Sequence, residues 1–356
     1  MIRMSLTLAQ KLDYIPALVC VATTFAWALL TLFWRAPEYP QSWMLHIGYA
    51  VFRRLTGRFS IAQMQYVLPP SNKVYERYMR STGETPRTVQ LNHGAMGHWI
   101  GDPHAQHILI WYHGGGFALP ANIGYFKFFR SVVVAQCTGN KHSLAIFALT
   151  YTLAPVATYP TQLRQAVEAL RHVLVDQGRR PSRVLLGGDS AGGNLVGGVL
   201  SHLAHTHPAI EPLAVSTPLA GAVLIAPWTL LDPDPADRIV DARGDLLTAA
   251  VAGPWSRAYV GRAAPDYFTD LSTAPPDWFA PFPVRRILVC GGGSEILLPV
   301  IEDFVLKLRA GFPEEVEFWV GAGEGHVAPV YNLYLGETTE TQQGGRVKQF
   351  IKRCCS

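Results

Sequence analysis

The chain has 356 residues, a formal net charge of +4, and 49% hydrophobic against 16% charged residues. This length can bury one large core with room for an insertion or a cap, and the apolar excess fits an α/β core joined to a membrane segment. The small charge excess, with no basic cluster alternating with aromatics, leaves nucleic-acid binding without support.

Residues 1–13 are a short tail carrying Arg3, Lys11 and Asp13. Residues 14–34, from Tyr14 to Trp34, hold no charge and include Leu18, Val19, Phe25, Trp27, Leu29, Leu30 and Phe33. Crossing a hydrocarbon core takes about 20 residues, whereas the apolar part of a cleaved leader runs to about 7–15. The run is therefore expected to be a single-pass transmembrane signal anchor with Trp34 at the interface. Its orientation stays open, because Arg3 and Lys11 precede it and Arg35, Arg53 and Arg54 follow. The chain contains no Asn-x-Ser/Thr sequon.

Pro37 and Pro40 end the run. Residues 35–87 carry helical patterns between Ser42 and Arg80, either a cap over a site or a surface helix pair packed on the core. Residues 88–356 read as an α/β domain. Thr88 to Ile100 supplies opening strands, and βα units follow, which predict a mostly parallel central sheet flanked by helices. The expected strands are Ile108–Tyr112, Leu144–Leu149, Arg183–Leu186, Gly221–Ile225, Arg286–Cys290 and Val316–Val320. Helices are expected over Gln162–Val175 and Pro299–Ala310. The stretch 228–282, rich in Pro, Asp and Trp, breaks the rhythm and reads as an irregular insertion near the mouth of a pocket.

Chemistry is concentrated in three loops that follow strands. Gly188-Asp189-Ser190-Ala191-Gly192 fits the G-x-S-x-G turn in which a strained strand-to-helix junction holds a serine clear of the sheet. The helix begins at that serine, so its free N–H groups face any oxyanion formed there. The serine needs a base, and the base an orienting carboxylate. With the chain order serine, acid, histidine, His326 is the one histidine that qualifies. Glu295, in the exit loop Gly291-Gly292-Gly293-Ser294-Glu295, is the expected acid, with Glu302 and Asp303 as fallbacks on the next helix. His113-Gly114-Gly115-Gly116-Phe117 supplies bare backbone N–H groups, so Gly115, Gly116 and Ala191 are the expected oxyanion donors, with His113, Gly114 and Asp189 in support.

Taken together, these residues resemble the hormone-sensitive-lipase-like group of α/β-hydrolases. The resemblance rests on His113-Gly114-Gly115-Gly116-Phe117, on Tyr151-Thr152-Leu153-Ala154-Pro155 with Tyr159-Pro160, on Gly188 to Asn194, and on Gly325-His326. It implies an α/β-hydrolase fold over 88–356 with an N-terminal helical cap, and a serine esterase needing no cofactor. The group's usual Asp-x-Leu is here Glu295-Ile296-Leu297. Similarity to membrane-anchored members that deacetylate sterols implies a small apolar ester with a short acyl group, and an endoplasmic-reticulum membrane as the location. Deacetylation in a biosynthetic pathway, lactonisation, cyclisation or elimination would use the same serine and base, and some relatives with this fold are receptors without the histidine.

Other features invite a functional reading and are better read as structure. His202, His205 and His207 have no carboxylate or cysteine at ligand spacing, so a polar helix tail is preferred to a metal site. Gly291-Gly292-Gly293-Ser294 lacks the lysine of a phosphate loop. The five cysteines, Cys20, Cys137, Cys290, Cys354 and Cys355, do not form a disulfide framework. Cys137 and Cys290 read as buried packing, and Cys354-Cys355 as a frayed tail in preference to palmitoylation sites.

Overall fold

A computed structural model describes residues 5–138, 141–231 and 242–356. Arg3 and residues 232–241 of the expected insertion lie outside that description, as does the side chain of Cys137. The core is an eight-stranded sheet. Its strands are β1 (Thr88–Gln90), β2 (Met96–Ile100), β3 (His107–Tyr112), β4 (Leu144–Thr150), β5 (Val184–Asp189), β6 (Gly221–Ile225), β7 (Arg286–Gly292) and β8 (Glu315–Gly321). They lie in the order β1-β2-β4-β3-β5-β6-β7-β8. β1–β2 and β2–β4 pair antiparallel, and every other neighbour pair is parallel. Strands β3, β4, β5 and β6 are buried from end to end. Burial on both faces is why they read as unbroken apolar runs without alternation. Each expected strand is present, and the ends differ by no more than two residues except in β5, which runs three residues further, to Asp189.

Residues 8–81 fold as α1 (Leu8–Leu12), α2 (Tyr14–Leu30), α3 (Trp43–Arg58), α4 (Ile61–Val67) and α5 (Ser71–Ser81). The region after Pro40 therefore holds three helices and not a pair. Ser60 and Gln63 form a capping box that starts α4 two residues after α3 ends. α5 closes the β2 edge: Tyr75 donates to the Trp99 carbonyl (2.8 Å), and Tyr78 stacks on Phe126 of α6 (Ile123–Ala135). α3 lies over the loop that carries His326. Tyr49 donates to Asn332 Oδ1 (2.7 Å) of α11 (Ala328–Tyr334), and Phe52 meets Tyr331 edge-on at 5.1 Å.

Further along the chain, the helix expected over Gln162–Val175 becomes α7 (Thr161–Arg171) followed by a π turn, His172–Asp176. α8 (Ala191–His205) follows β5 directly, and α9 (Ala252–Val260) is the one α-helix in the described part of 228–282. α10 (Leu298–Gly311) matches its expectation to one residue. The C-terminus departs from it, since Cys354 and Cys355 end a helix, α12 (Gln342–Cys355), and are not frayed. The cause is amphipathicity, with Val347, Phe350 and Ile351 buried. Cys354 Sγ also packs so tightly on Gly221 that an added Cβ would lie 2.8 Å from it.

The Tyr49–Asn332 bond is buried and ties α3 to the helix following His326. Tyr49→Phe keeps the ring and removes the donor, so it should lower unfolding free energy by about 1 kcal/mol, measurable by urea titration.

Candidate active site

β5 ends at Asp189 and α8 starts at Ala191, which leaves Ser190 to make the turn alone. Ser190 sits at φ 51°, ψ −118°, a conformation non-glycine residues rarely adopt. Bare backbone on either side makes that turn possible. A Cβ on Gly188 would lie 2.2 Å from the Gly192 carbonyl oxygen, and one on Gly192 would lie 1.8 Å from that of Tyr112. The Ser190 N–H donates to the Ile225 carbonyl (2.9 Å), and its own carbonyl accepts from Asn194 and Trp228, each at 3.0 Å. The strained residue is thus fixed from β6, from α8 and from the loop after β6.

Two further loops converge on the serine end of the sheet. Glu295 follows β7, and His326 follows β8. His326 Nδ1 lies 3.3 Å from Glu295 Oε1, and Glu295 Oε2 accepts from the Gly292 N–H at 2.5 Å. Both side chains are almost fully buried, 2% and 0% exposed. Because Nδ1–H donates its hydrogen bond to Glu295, the proton is held on Nδ1 and Nε2 is left as the free base. Burial raises the proton affinity of Glu295 against the opposing pull of His326. Burial alone would lower that of His326, but the hydrogen bond to Glu295 and the charges of Glu295, Asp245 and Asp189 raise it above the ordinary value. His326 bonds to Asp245 and Glu295 and not to Ser190. Long or absent nucleophile–base bonds are common in free enzymes and tighten with substrate. The two fallback acids stand elsewhere: Glu302 is exposed, and Asp303 pairs with Lys307 at 3.2 Å.

A carboxylate that sequence reasoning missed lies beneath this pair. Asp245 is completely buried, and its proton affinity is raised by that burial. Its Oδ1 accepts from the N–H groups of His326 (2.8 Å) and Leu246 (2.7 Å), and its Oδ2 from that of Ile296 (2.9 Å). One side chain therefore clamps the histidine loop to the acid loop. Nothing local marks it in the sequence, because it falls in the stretch that reads as an irregular insertion.

On the opposite side, Asp189 does similar work for the His113-to-Phe117 loop. Its Oδ2 accepts from the Gly114 N–H (3.1 Å) and Tyr125 (2.6 Å), and its Oδ1 from Trp111 Nε1 (3.0 Å). Burial raises its pKa to about 6. His113 stacks on Tyr151 at 4.3 Å and bonds the Gly114 carbonyl, with a pKa lowered by burial to about 4. It is a neutral brace of the loop. Among the described residues the N–H groups of Gly115, Gly116 and Ala191 make no hydrogen bond. Trp255 of α9 packs against Gly116, where a Cβ would lie 2.0 Å from the indole. The glycine run before Glu295 allows close approach: a Cβ on Gly292 would lie 2.5 Å from the Glu324 carbonyl oxygen and 2.6 Å from that of Gly325.

The three histidines, two in the last turn of α8 and His207 just after it, are not a polar tail. His202 and His207 are buried; His202 bonds the Glu211 carbonyl, and its Nδ1 accepts from the His207 N–H. His205 stacks on Trp278 at 3.7 Å. They close the C-terminal end of α8.

A serine at a strained turn, a buried histidine–carboxylate pair and free N–H groups are the parts that acyl transfer needs. The chain belongs to the alpha/beta hydrolase fold family, whose model matches residues 109–330. It is 30% identical over 222 residues to an acetyl-hydrolase of Streptomyces hygroscopicus, covering 59% of this chain and 65% of that protein. It is also 31% identical over 131 residues to steryl acetyl hydrolase 1 of Saccharomyces cerevisiae, covering 36% and 28%. The chain thus spans less than two thirds of either relative. The hormone-sensitive-lipase homologue EstE7 from a metagenome library superposes with a TM-score of 0.64 at 19% identity, covering 85% of this chain and 96% of that one. The family resemblance read from the motifs holds.

Two outcomes are expected here. If His326 must be neutral to act, ester turnover rises with pH through its pKa, so the acid limb of kcat/KM lies above pH 6.5. Glu295→Gln removes the charge that raises this pKa, moving the limb to lower pH and cutting kcat by about 10²–10⁴-fold, whereas Glu302→Gln and Asp303→Asn leave both unchanged. Asp245→Asn must turn an NH₂ toward at least one N–H donor. It should cost about 1–3 kcal/mol of stability, read from denaturant midpoints, and lower kcat with it.

Proposed function

We propose that the protein is a serine carboxylic-ester hydrolase working through an acyl-enzyme. The observation that carries this reading is the buried Glu295–His326 pair facing the strained Ser190 turn. His326 Nε2 takes the Ser190 proton as Oγ attacks the ester carbonyl carbon. The oxyanion forms against the N–H groups of Gly115, Gly116 and Ala191. As the carbonyl re-forms, the bond to the alcohol oxygen breaks and His326 returns the proton to the departing alcohol. Water, deprotonated by the same nitrogen, then attacks the acyl-serine, and collapse frees the carboxylic acid and restores Ser190.

The preferred substrate is a short-chain, acetyl-type ester of an apolar alcohol such as a sterol or secondary metabolite. Relatives named for acetyl hydrolysis support the acyl half. Support for the alcohol half comes from a mostly apolar cleft of about 230 Å³ next to Leu119, lined by Phe52, Leu68, Leu119 and Tyr331 together with Lys73 and Arg77. The cleft lies under α3 and α5, which fits a cap role for 35–87 over a catalytic domain of 88–356. The apolar helix Leu8–Leu30 supports a membrane setting, with the endoplasmic reticulum as its expected place.

A panel of aryl esters from acetate to decanoate, with a serine-directed phosphonate as covalent label, tests the reading. Acetate and butyrate esters should turn over fastest, and the label should be found on Ser190. Ser190→Ala should lose about 10⁴-fold or more in kcat with its melting temperature kept. Turnover surviving in that variant would remove the mechanism.

A further inference from the structure

The apolar helix α2 does not stand apart from the domain. Its less exposed positions are Tyr14, Ala17, Val21, Thr24, Ala28 and Thr31, with Cys20 beside them. They recur at alternating intervals of three and four residues, the spacing of a seam between two packed helices. Small side chains along that seam let the backbones approach. The partner is α3, and it runs antiparallel. At one end Arg58 forms a two-pronged ion pair with Asp13, and Tyr14 meets Phe59 edge-on at 5.6 Å. Tyr14 also donates to the Gln63 carbonyl (2.5 Å), and Gln63 Nε2 donates to the Gln10 carbonyl (2.9 Å). In the middle Arg54 Nε donates to Thr24 Oγ1 at 3.0 Å. At the far end Arg35 bonds the carbonyls of Leu32 and Gln41, closing the turn between the helices.

α3 cannot follow α2 into a bilayer. It carries Arg53, Arg54 and Arg58, and charges in a bilayer core are expensive. Its other face is committed to protein through Tyr49 on Asn332 and through Arg53 on the carbonyls of Arg243 and Asp245. A helix held alongside α3 over its whole length therefore lies along the protein surface. The outward side of α2 is apolar apart from Thr23, whose hydroxyl donates to the Cys20 carbonyl: Ile15, Leu18, Phe25, Leu29 and Leu30, with Phe33 in the turn after it, are 43–85% exposed. Trp27, Trp34 and Trp43 are exposed on the same hairpin, and Lys11 and Arg54 stand exposed near it. An apolar helical face with interfacial tryptophans and neighbouring cations is suited to the headgroup–acyl boundary of an anionic bilayer.

We propose that α2 lies in the plane of one leaflet of a phospholipid bilayer, as the lipid-facing half of an α2–α3 hairpin, and does not cross it. Both ends of α2 are then on the same side of the membrane, and the anchor is part of the folded domain.

Single-cysteine variants of the full chain, with the five native cysteines replaced, test this in sealed microsomes with a membrane-impermeant maleimide. Thr7→Cys and Glu38→Cys bracket α2. The in-plane arrangement predicts that both react from outside, or that both react only after permeabilisation. One reacting outside and the other only after permeabilisation means a spanning helix and overturns the proposal. In parallel, Phe25→Glu with Leu29→Glu should lower partitioning onto anionic vesicles by about a hundredfold while the melting temperature stays within a few degrees. Partitioning unchanged in that variant, or a lipid-free dimer that the variant dissolves and that ignores vesicles, would equally overturn it.

Discussion

Asp245 is a buried carboxylate with no cation bonded to its oxygens among the described residues, and burial of such a group is tolerated only if its lone pairs are satisfied. Here three backbone N–H groups satisfy them, drawn from its own turn, from the Glu295 loop and from His326 itself. The constraint works in both directions. The charge needs the loops where they are, and the loops are where they are because the charge needs them. The 3.3 Å approach of His326 to Glu295 follows from this clamp as much as from their own attraction.

Asp189 repeats the device on the other side of the nucleophile. It belongs to the elbow strand, yet its bonds go to Gly114, Trp111 and Tyr125. The strand that delivers Ser190 therefore also sets the loop whose bare N–H groups face the serine. Two buried carboxylates hold His326, the Glu295 loop and the glycine loop at Gly114 to a common frame. Preorganisation of this kind is what makes electrostatic stabilisation of a transition state effective, because the dipoles need not reorient during reaction.

The N-terminal hairpin is tied into the same frame. Arg53 of α3 reaches the Asp245 carbonyl, and Tyr49 packs on Gly325, the residue before His326. α2 covers the outward side of α3. The apolar surface of the molecule is thus one helix removed from His326, and the region that reads as anchor plus cap is one continuous packing unit.

Much of this was legible in the residues themselves. Strands buried on both faces advertise themselves as apolar runs, and the G-x-S-x-G turn and the glycine-rich loop are local patterns whose spacing is the mechanism. Chain order alone singled out His326 and pointed to Glu295. What the sequence could not carry is what depends on contacts between distant segments. Asp245 reaches partners 51 and 81 residues away, and no local pattern encodes such a partner. Cys354 and Cys355 looked like a tail until Val347, Phe350 and Ile351 found the sheet. The uncharged run at 14–34 is long enough to span a bilayer on composition alone. Its seam of Tyr14, Ala17, Val21, Thr24, Ala28 and Thr31 has meaning only once α3 lies against it, because a helix's length is a property of its own residues and the face it buries is a property of its neighbour.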